Sequence, residues 1–301
     1  MTTRLTLIHA MSPVHAGTGQ SVGAIDLPIA RERPTGIPLI PGSSIKGALR
    51  ARSAATDPLT KDVFGPETAN ASEHAGAVQF SDAQLLLLPV RSVRGTFAWV
   101  TSRFLLQRFV RNAREAGFDF EELPAQPKAD ACVVAGETLT VQIGRQKKVV
   151  FEDLDFNVDP GPKEALQNVA DKLSKALFPD GTGDAKEWRD SLRDRICLIH
   201  DDVMSLLLET ATEVSAHIRL DNEKKTVAKG ALWYQESLPA ESVLAGLVVA
   251  ADVKAVNGRA ERKGGDLLNH VAGLTQGIVQ LGGKATVGQG SCFVRIAGGQ
   301  A

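Results

Sequence analysis

The sequence is short of cysteine, aromatic rings, long apolar runs and any excess of one charge, and each shortage closes off a class of protein. Only three cysteines occur in 301 residues, Cys132, Cys197 and Cys292, with no Cys-x-x-Cys pair. That spacing argues against a disulfide framework, a zinc knuckle and a thioredoxin-type site, and leaves each thiol as a small buried apolar group. Six histidines are scattered without a His-Glu-x-x-His, so no preassembled transition-metal site is expected. Aromatic residues make up 5%, too few for base stacking to be the main strategy. The longest apolar run, Val243 to Ala251, is about half of what a spanning helix needs. The start, Met1-Thr2-Thr3-Arg4, lacks the apolar core of a secretory signal. A soluble, cytoplasmic chain with no membrane partner is expected. Neither an internal repeat nor a low-complexity tract is present.

What remains is globular: 43% hydrophobic and 23% charged residues, in a length that suits about two domains or one with large insertions. Lys plus Arg number 34 against 35 acids, a net charge of −1 that hides local asymmetry. Residues 1–52 carry six cations (Arg4, Arg31, Arg33, Lys46, Arg50, Arg52) against Asp26 and Glu32. Residues 85–114 carry six arginines, at 91, 94, 103, 108, 111 and 114, and no acid, whereas acids gather at 115–122 and 152–159. Such segments can bind a polyanion locally even in a neutral chain; a solvated face with nearby counter-charges is the plainer reading of any one of them.

Alternation over Arg4 to Met11 predicts a half-buried strand running into the glycine-rich loop His15 to Gln20. Pro28, Pro34, Pro38 and Pro41 forbid a continuous helix and imply extended backbone. Ser43 or Ser44 would then cap a short helix in which Lys46 and Arg50, four apart, share a side. Ala77 to Leu88 reads as strand, and Thr101 to Ala116 as an amphipathic helix with Leu105, Phe109 and Ala113 inward. Lys163 to Leu177 and Trp188 to Leu208 read as helices. Residues 213–236 read as a β-hairpin with a basic far end (Lys224, Lys225, Lys229). Val243 to Val253 is a buried strand, Asp266 to Gln280 a helix and Cys292 to Ile296 a last strand. Strands and helices interleave without a parallel βαβ repeat, so an α+β fold with antiparallel pairing is predicted.

Three motifs bear on chemistry. Gly282 to Gly290 invites a nucleotide-binding reading but fails as a Walker A loop, with Ile278 in place of the first glycine and Ala285 in place of the hydroxyl. That argues against an ATP-dependent switch, although Gly282, Gly283 and Lys284 still suit close approach to phosphates. Pro41 to Arg50 places Ser43, Ser44, Lys46 and Arg50 about a helix N-terminus, either a phosphate-binding device or an ordinary capped helix. Asp26 is the one acid among the apolar residues of Ala24 to Ile29, beside Arg31 and Arg33. Metal ligation, acid/base work or an ion pair would explain it, and His15 in the preceding loop could reach the same region.

Taken together, Gly17-Thr18-Gly19-Gln20-Ser21-Val22-Gly23, Ile25-Asp26-Leu27-Pro28-Ile29, Arg31-Glu32-Arg33 and Ile40 to Gly47 resemble the N-terminal signature of CRISPR RAMP proteins. Leu88-Pro89-Val90-Arg91-Ser92, Phe97-Ala98-Trp99-Val100-Thr101 and Gly230-Ala231-Leu232-Trp233-Tyr234 narrow the resemblance to the repeating backbone subunit of the type III-B (Cmr) RNA-targeting complex. It extends over essentially the whole chain.

The resemblance implies a single RAMP domain over 1–301 with an RRM-like, ferredoxin-type core. Insertions fall at about 52–76 and, helical, at about 160–208, and the hairpin at about 213–236 is a thumb that wedges into the guide–target duplex. It implies a ribonucleoprotein of antiviral defence: copies stack head to tail on a CRISPR guide RNA with other Cmr subunits and cut complementary target RNA at regular intervals. Asp26 is the residue tied most closely to cleavage and to a divalent cation, Mg or Mn. His15 and Glu236 stand near the cut, the chain reading Tyr234-Gln235-Glu236 where the family commonly has adjacent acids. Ser43, Ser44, Lys46, Arg50, Arg91, Lys224, Lys225, Lys229, Gly282, Gly283 and Lys284 are the expected RNA contacts. The rival expectation is a purely structural RNA-binding filament subunit, with Asp26 an ion-pair partner and the nuclease elsewhere.

Overall fold

The structure is a computed structural model and describes residues 1–298 apart from 18–24, 55, 68–73, 181, 221–226 and 256–259. Residue 220 and residues 227–230 are described by their backbone alone. Most of the glycine-rich motif after Gly17, together with Lys224 and Lys225, lies outside the described residues, and Lys229 is placed only as strand backbone.

The first strand, β1 (Thr2–Ala10), is the axis of the molecule. It pairs antiparallel with β13 (Val243–Ala250) on one edge and with β15 (Ser291–Ala297) on the other, and β13 continues antiparallel to β4 (Ala83–Arg91). Helix α1 (Gly42–Arg52) lies between β1 and β4 in the chain and α7 (Gly264–Leu274) between β13 and β15, giving a β-α-β-β-α-β order through these six elements. β1 is buried on both faces rather than one, which corrects the half-buried expectation. Leu5 and Leu7 pack under α3 (Arg103–Glu115) and α4 (Lys163–Leu177), whereas Ile8 and Ala10 join the core containing Ile45, Leu49 and Leu268. Helices on both faces remove water from both sides of the pleat, so alternation here sorts residues between two cores.

The sheet extends beyond β4 through β5 (Phe97–Ser102), β10 (Ile196–Ile199), β6 (Ala131–Val134), β9 (Leu154–Val158), β8 (Gln146–Phe151) and β7 (Val141–Ile143). Short β2 (Leu39–Ile40), β3 (Val78–Phe80) and β14 (Val279–Gln280) complete a 13-stranded sheet among the described residues. Pairing is antiparallel except at β5–β10 and β6–β9, so the α+β expectation holds. β11 (Glu213–Leu220) and β12 (Val227–Ser237) form a separate two-stranded ribbon.

Several sequence-based expectations change. Trp188 to Leu208 is not one helix: α5 (Asp184–Arg195) ends at β10, and α6 (Asp201–Thr210) starts after it. The run Ile196-Cys197-Leu198-Ile199 is fully buried and lies between β5 and β6, where strand pairing outweighs local helical periodicity. Ala77 to Leu88 divides into β3 and β4, and Asp266 to Gln280 into α7 and β14. Neither Ser43 nor Ser44 caps α1; Pro41 is the N-cap residue and the Gly42 N–H is taken by Asp82 Oδ1 at 2.8 Å, a cap supplied from forty residues away. The amphipathic α3 is as expected, buries Leu105, Leu106, Phe109, Val110 and Ala113, and is capped by Ser102. Each large apolar side chain there contributes roughly 1.5–3 kcal/mol of burial.

Candidate active site at the end of strand β12

One edge of β12 faces β11, and the other gathers the candidate catalytic residues. The backbone groups of every second residue point to that second edge, and each is taken in turn. Tyr234 N–H donates to Asp26 Oδ2 at 2.8 Å, and Tyr234 O accepts from Leu27 N–H at 3.1 Å. Glu236 N–H donates to Leu27 O at 2.9 Å, and Glu236 O faces His15 Nδ1 at 2.7 Å. Leu238 exchanges both its bonds with Val14 at 2.9 Å. The side chains of Asp26 and His15 therefore lie along one strand edge on either side of the Leu27 backbone, at residues two apart, roughly 7 Å along the chain. Asp26 itself is exposed, and its Oδ1 has no partner among the described residues.

A carbonyl oxygen only accepts, so the Glu236 contact puts the proton of a neutral His15 ring on Nδ1 and leaves Nε2 as the lone-pair nitrogen. His15 is only 8% exposed and lies against Gly17, where a Cβ would come within 2.7 Å of Nε2. The segment after Leu281 closes the site from behind. Gly283 N–H donates to His15 O at 2.9 Å, and Gly282 holds φ +78° with room for no Cβ, which would fall 2.5 Å from His15 O. Gln235 Nε2 reaches Gln289 Oε1 at 2.7 Å, tying β12 to the same loop. Gly282, Gly283 and Lys284 are exposed beside the cluster.

Glu236 is placed differently from Asp26. Its side chain is buried, with Oε1 accepting from Arg31 Nη2 at 2.5 Å and from Thr212 Oγ1 at 3.0 Å, and Oε2 from Ile29 N–H at 3.1 Å. Arg31 also donates to Leu208 O and Gly36 O. Next to it Glu32 forms a two-bond pair with Arg108 of α3 at 2.5 and 2.8 Å, which with Thr35 holds the Glu32 carboxyl down at about 2. The segment 29–32 is thus pinned once to β12 and once to α3. Arg31 is legible in the sequence only as a cation near Asp26; its buried partner is 205 residues away.

The other expected RNA contacts are spread out. Ser43 and Lys46 line an open cavity of ≈ 480 Å³ with Gly65, Pro66, His74 and Gln79, and Ser44 is exposed on the same helix. Arg50 is turned to the carbonyls of Phe64 and Pro66, at the end of α2 (Pro58–Phe64). Arg91 is exposed at the end of β4, roughly 26 Å along that strand from its start beside α1. Of the basic run 91–114, Arg103, Arg108 and Arg114 serve internal partners (the Leu123 and Pro124 carbonyls, Glu32 and the Phe120 carbonyl).

Among the described residues no group of three or more His, Cys, Asp or Glu could cage a metal ion. A hydrated Mg²⁺ or Mn²⁺ needs less, one or two carboxylates with the rest supplied by water and phosphate oxygens, and exposed Asp26 fits that role. No helix among the described residues is long and apolar enough to cross a membrane.

Residues 7–293 match the RAMP superfamily. The chain is 34% identical to the CRISPR system Cmr endoribonuclease Cmr4 of Pyrococcus furiosus over 294 residues, 96% of this chain and 93% of the relative. The crystal structure of oligomeric Cmr4 from Pyrococcus furiosus superposes with a TM-score of 0.74 at 28% identity, covering 100% of both chains. A chain in the type III-B Cmr-β complex bound to cognate target RNA shares the fold at a TM-score of 0.70 and 20% identity, covering 98% of this chain and 97% of that one.

Proposed function

The chain belongs to the RAMP superfamily, within it to the Cmr4 group, and we propose that it is the repeating backbone subunit of a type III-B CRISPR effector complex that cuts complementary target RNA. In this reading it binds guide RNA and neighbouring copies of itself, and the cut is its own. The six elements in β-α-β-β-α-β order, with the strands side by side as β15-β1-β13-β4, support the ferredoxin-type, RRM-like core. The ribbon β11–β12 is the thumb. One of its faces exposes Val214, Ile218, Leu232 and Tyr234, an apolar surface suited to insertion between stacked bases.

The observation that carries the activity is continuity. The strand bearing that apolar face ends in the residues whose backbone holds Asp26 and His15. A nucleotide displaced by the wedge leaves its phosphodiester unstacked beside this edge, where its 2′-hydroxyl can line up opposite the departing 5′-oxygen. His15 Nε2 accepts the 2′-hydroxyl's single hydrogen bond, orients it and takes its proton as the 2′-O–P bond forms and the P–5′-O bond breaks, and the Asp26 carboxylate on the same strand edge favours the imidazolium that results. The 5′-oxygen leaves protonated by solvent, giving a 2′,3′-cyclic phosphate and a 5′-hydroxyl. A divalent cation, Mg or Mn, held by Asp26 together with phosphate oxygens would neutralise the charge developing on the phosphorus centre. Glu236 acts by holding Arg31, Ile29 and, through its carbonyl, His15. Sequence choice belongs to base pairing, with Ser43, Ser44, Lys46, Lys284 and the 282–283 backbone touching RNA phosphates.

The test is cleavage by the reconstituted, guide-loaded complex with Asp26→Asn. Asparagine can still accept the Tyr234 N–H, so the loop stays docked while the charge is lost. Regularly spaced products should fall by about 10²–10⁴-fold with target binding unchanged. Equal ladders from both proteins would make the chain a scaffold and move the nuclease to another subunit.

A further inference from the structure

A second cavity, of ≈ 770 Å³, opens on the α4–α5 side of the sheet and shares no residue with the β12 cluster. Its wall is aromatic: Phe178 and Trp188 stack at 6.1 Å, His9 meets both edge-on at 5.6 Å, and Phe293 lies across. Its polar groups are mainly acceptors. Asp180, Asp184 and Glu241 line it against a single guanidinium, that of Arg295, which sits over the Phe293 ring. Asp180 and Asp184 are exposed and have no ion-pair partner among the described residues. Arg189, nearby, is spent on the Phe178 and Pro179 carbonyls, and Lys186 on Asp190.

His9 is fixed within this wall. It is 3% exposed, and its Nε2 lies 2.7 Å from Glu241 Oε2, so the neutral ring carries its proton there. Nδ1 is then an acceptor with no partner, shut off from solvent and from the open cavity. Volume, aromatic walls and a few convergent polar groups are the features of a ligand pocket.

We propose that this cavity binds an organic cation, a guanidinium or ammonium group that donates to the Asp180 and Asp184 carboxylates while its stem packs on the rings. Three carboxylates against one guanidinium disfavour an anionic nucleotide. Aromatic walls with nearby acids are how proteins hold organic ammonium and guanidinium groups. The cation can come as a free polyamine or as an arginine or lysine side chain of a neighbouring protein chain, and the two are separable.

The experiment is calorimetric titration of the full chain with spermidine, with N-acetylarginine amide and with AMP, paired with Trp188 fluorescence and a Trp188→Phe control. One or both cations should bind saturably, change the Trp188 signal, and bind at least tenfold more weakly to Asp180→Asn/Asp184→Asn. These positions are exposed, so an unchanged thermal melt is expected of the variant. Spermidine alone binding identifies a free polyamine as the source, and the arginine amide alone a protein side chain. Absence of cation binding, equal binding by the double variant, or preference for AMP overturns the proposal.

Discussion

Replacing Arg31 by methionine asks whether the buried Glu236 carboxylate holds the cleavage site together. The guanidinium donates to Glu236 Oε1 at 2.5 Å, to Leu208 O at 2.9 Å and to Gly36 O at 2.8 Å, and the paired side chains are 24% and 4% exposed. Removing one partner of such a pair strands a charge in the interior, at a cost of about 3–5 kcal/mol. The partial exposure of Arg31 puts this case at about 3 kcal/mol. Glu236→Leu orphans Arg31 and the Ile29 N–H and should cost a similar amount. With both replaced no charge is stranded, so the double variant should lose about 3 rather than about 6 kcal/mol. That coupling, about a hundredfold in the unfolding constant, is read by urea denaturation of the isolated chain at constant m. Cleavage by the assembled complex should fall in all three variants, and the double variant should not regain it, because the Ile29 N–H has lost its acceptor. Additive losses, or wild-type cleavage in either single variant, would refute the reasoning.

Glu32, lowered to about 2 by Arg108 and Thr35, contributes stability that is present above the ordinary carboxylate pKa and is lost as pH falls through about 2. Glu32→Gln should therefore cost about 1 kcal/mol near neutrality, solvent screening included, and nothing in strong acid; a constant difference across that pH window would show that the charge is not responsible. Burial pushes the Cys292 thiol up to about 12, and burial beside Cys132 raises Cys197 well above its usual range. A thiol-specific disulfide reagent at mildly alkaline pH should modify none of the three cysteines in the native chain and all three in denaturant. Gly17→Ala would set a methyl 2.7 Å from His15 Nε2 and push the ring off the Glu236 carbonyl. Cleavage should drop at least tenfold with guide binding intact, and an undiminished rate would remove His15 from the mechanism.

Elements whose own residues supply both periodicity and ends are legible in the sequence alone. Lys163 to Leu177 is a helix with those bounds, α3 departs by two residues at its start and one at its end, and the paired strands β11 and β12 need only their alternation. Strands β6 to β9 leave no such mark, because their segments are short and derive their stability from neighbours that arrive later in the chain. Likewise the α1 cap lies on Asp82, a residue no local window contains.

The candidate site divides along the same line. Sequence by itself determined which residues have the chemistry: an acid in an apolar stretch at Asp26, a loop histidine at His15, glycines around one lysine at 282–284. Tertiary structure alone decided what each does. It set Asp26 exposed and Glu236 buried, though both are carboxylates near the same strand end, and it spent Arg31, Arg50 and Arg108 on internal partners while leaving Lys284 exposed. The physical reason is that a side chain's type fixes its charge and its donors, whereas its solvation and its partners depend on which distant segments fold against it.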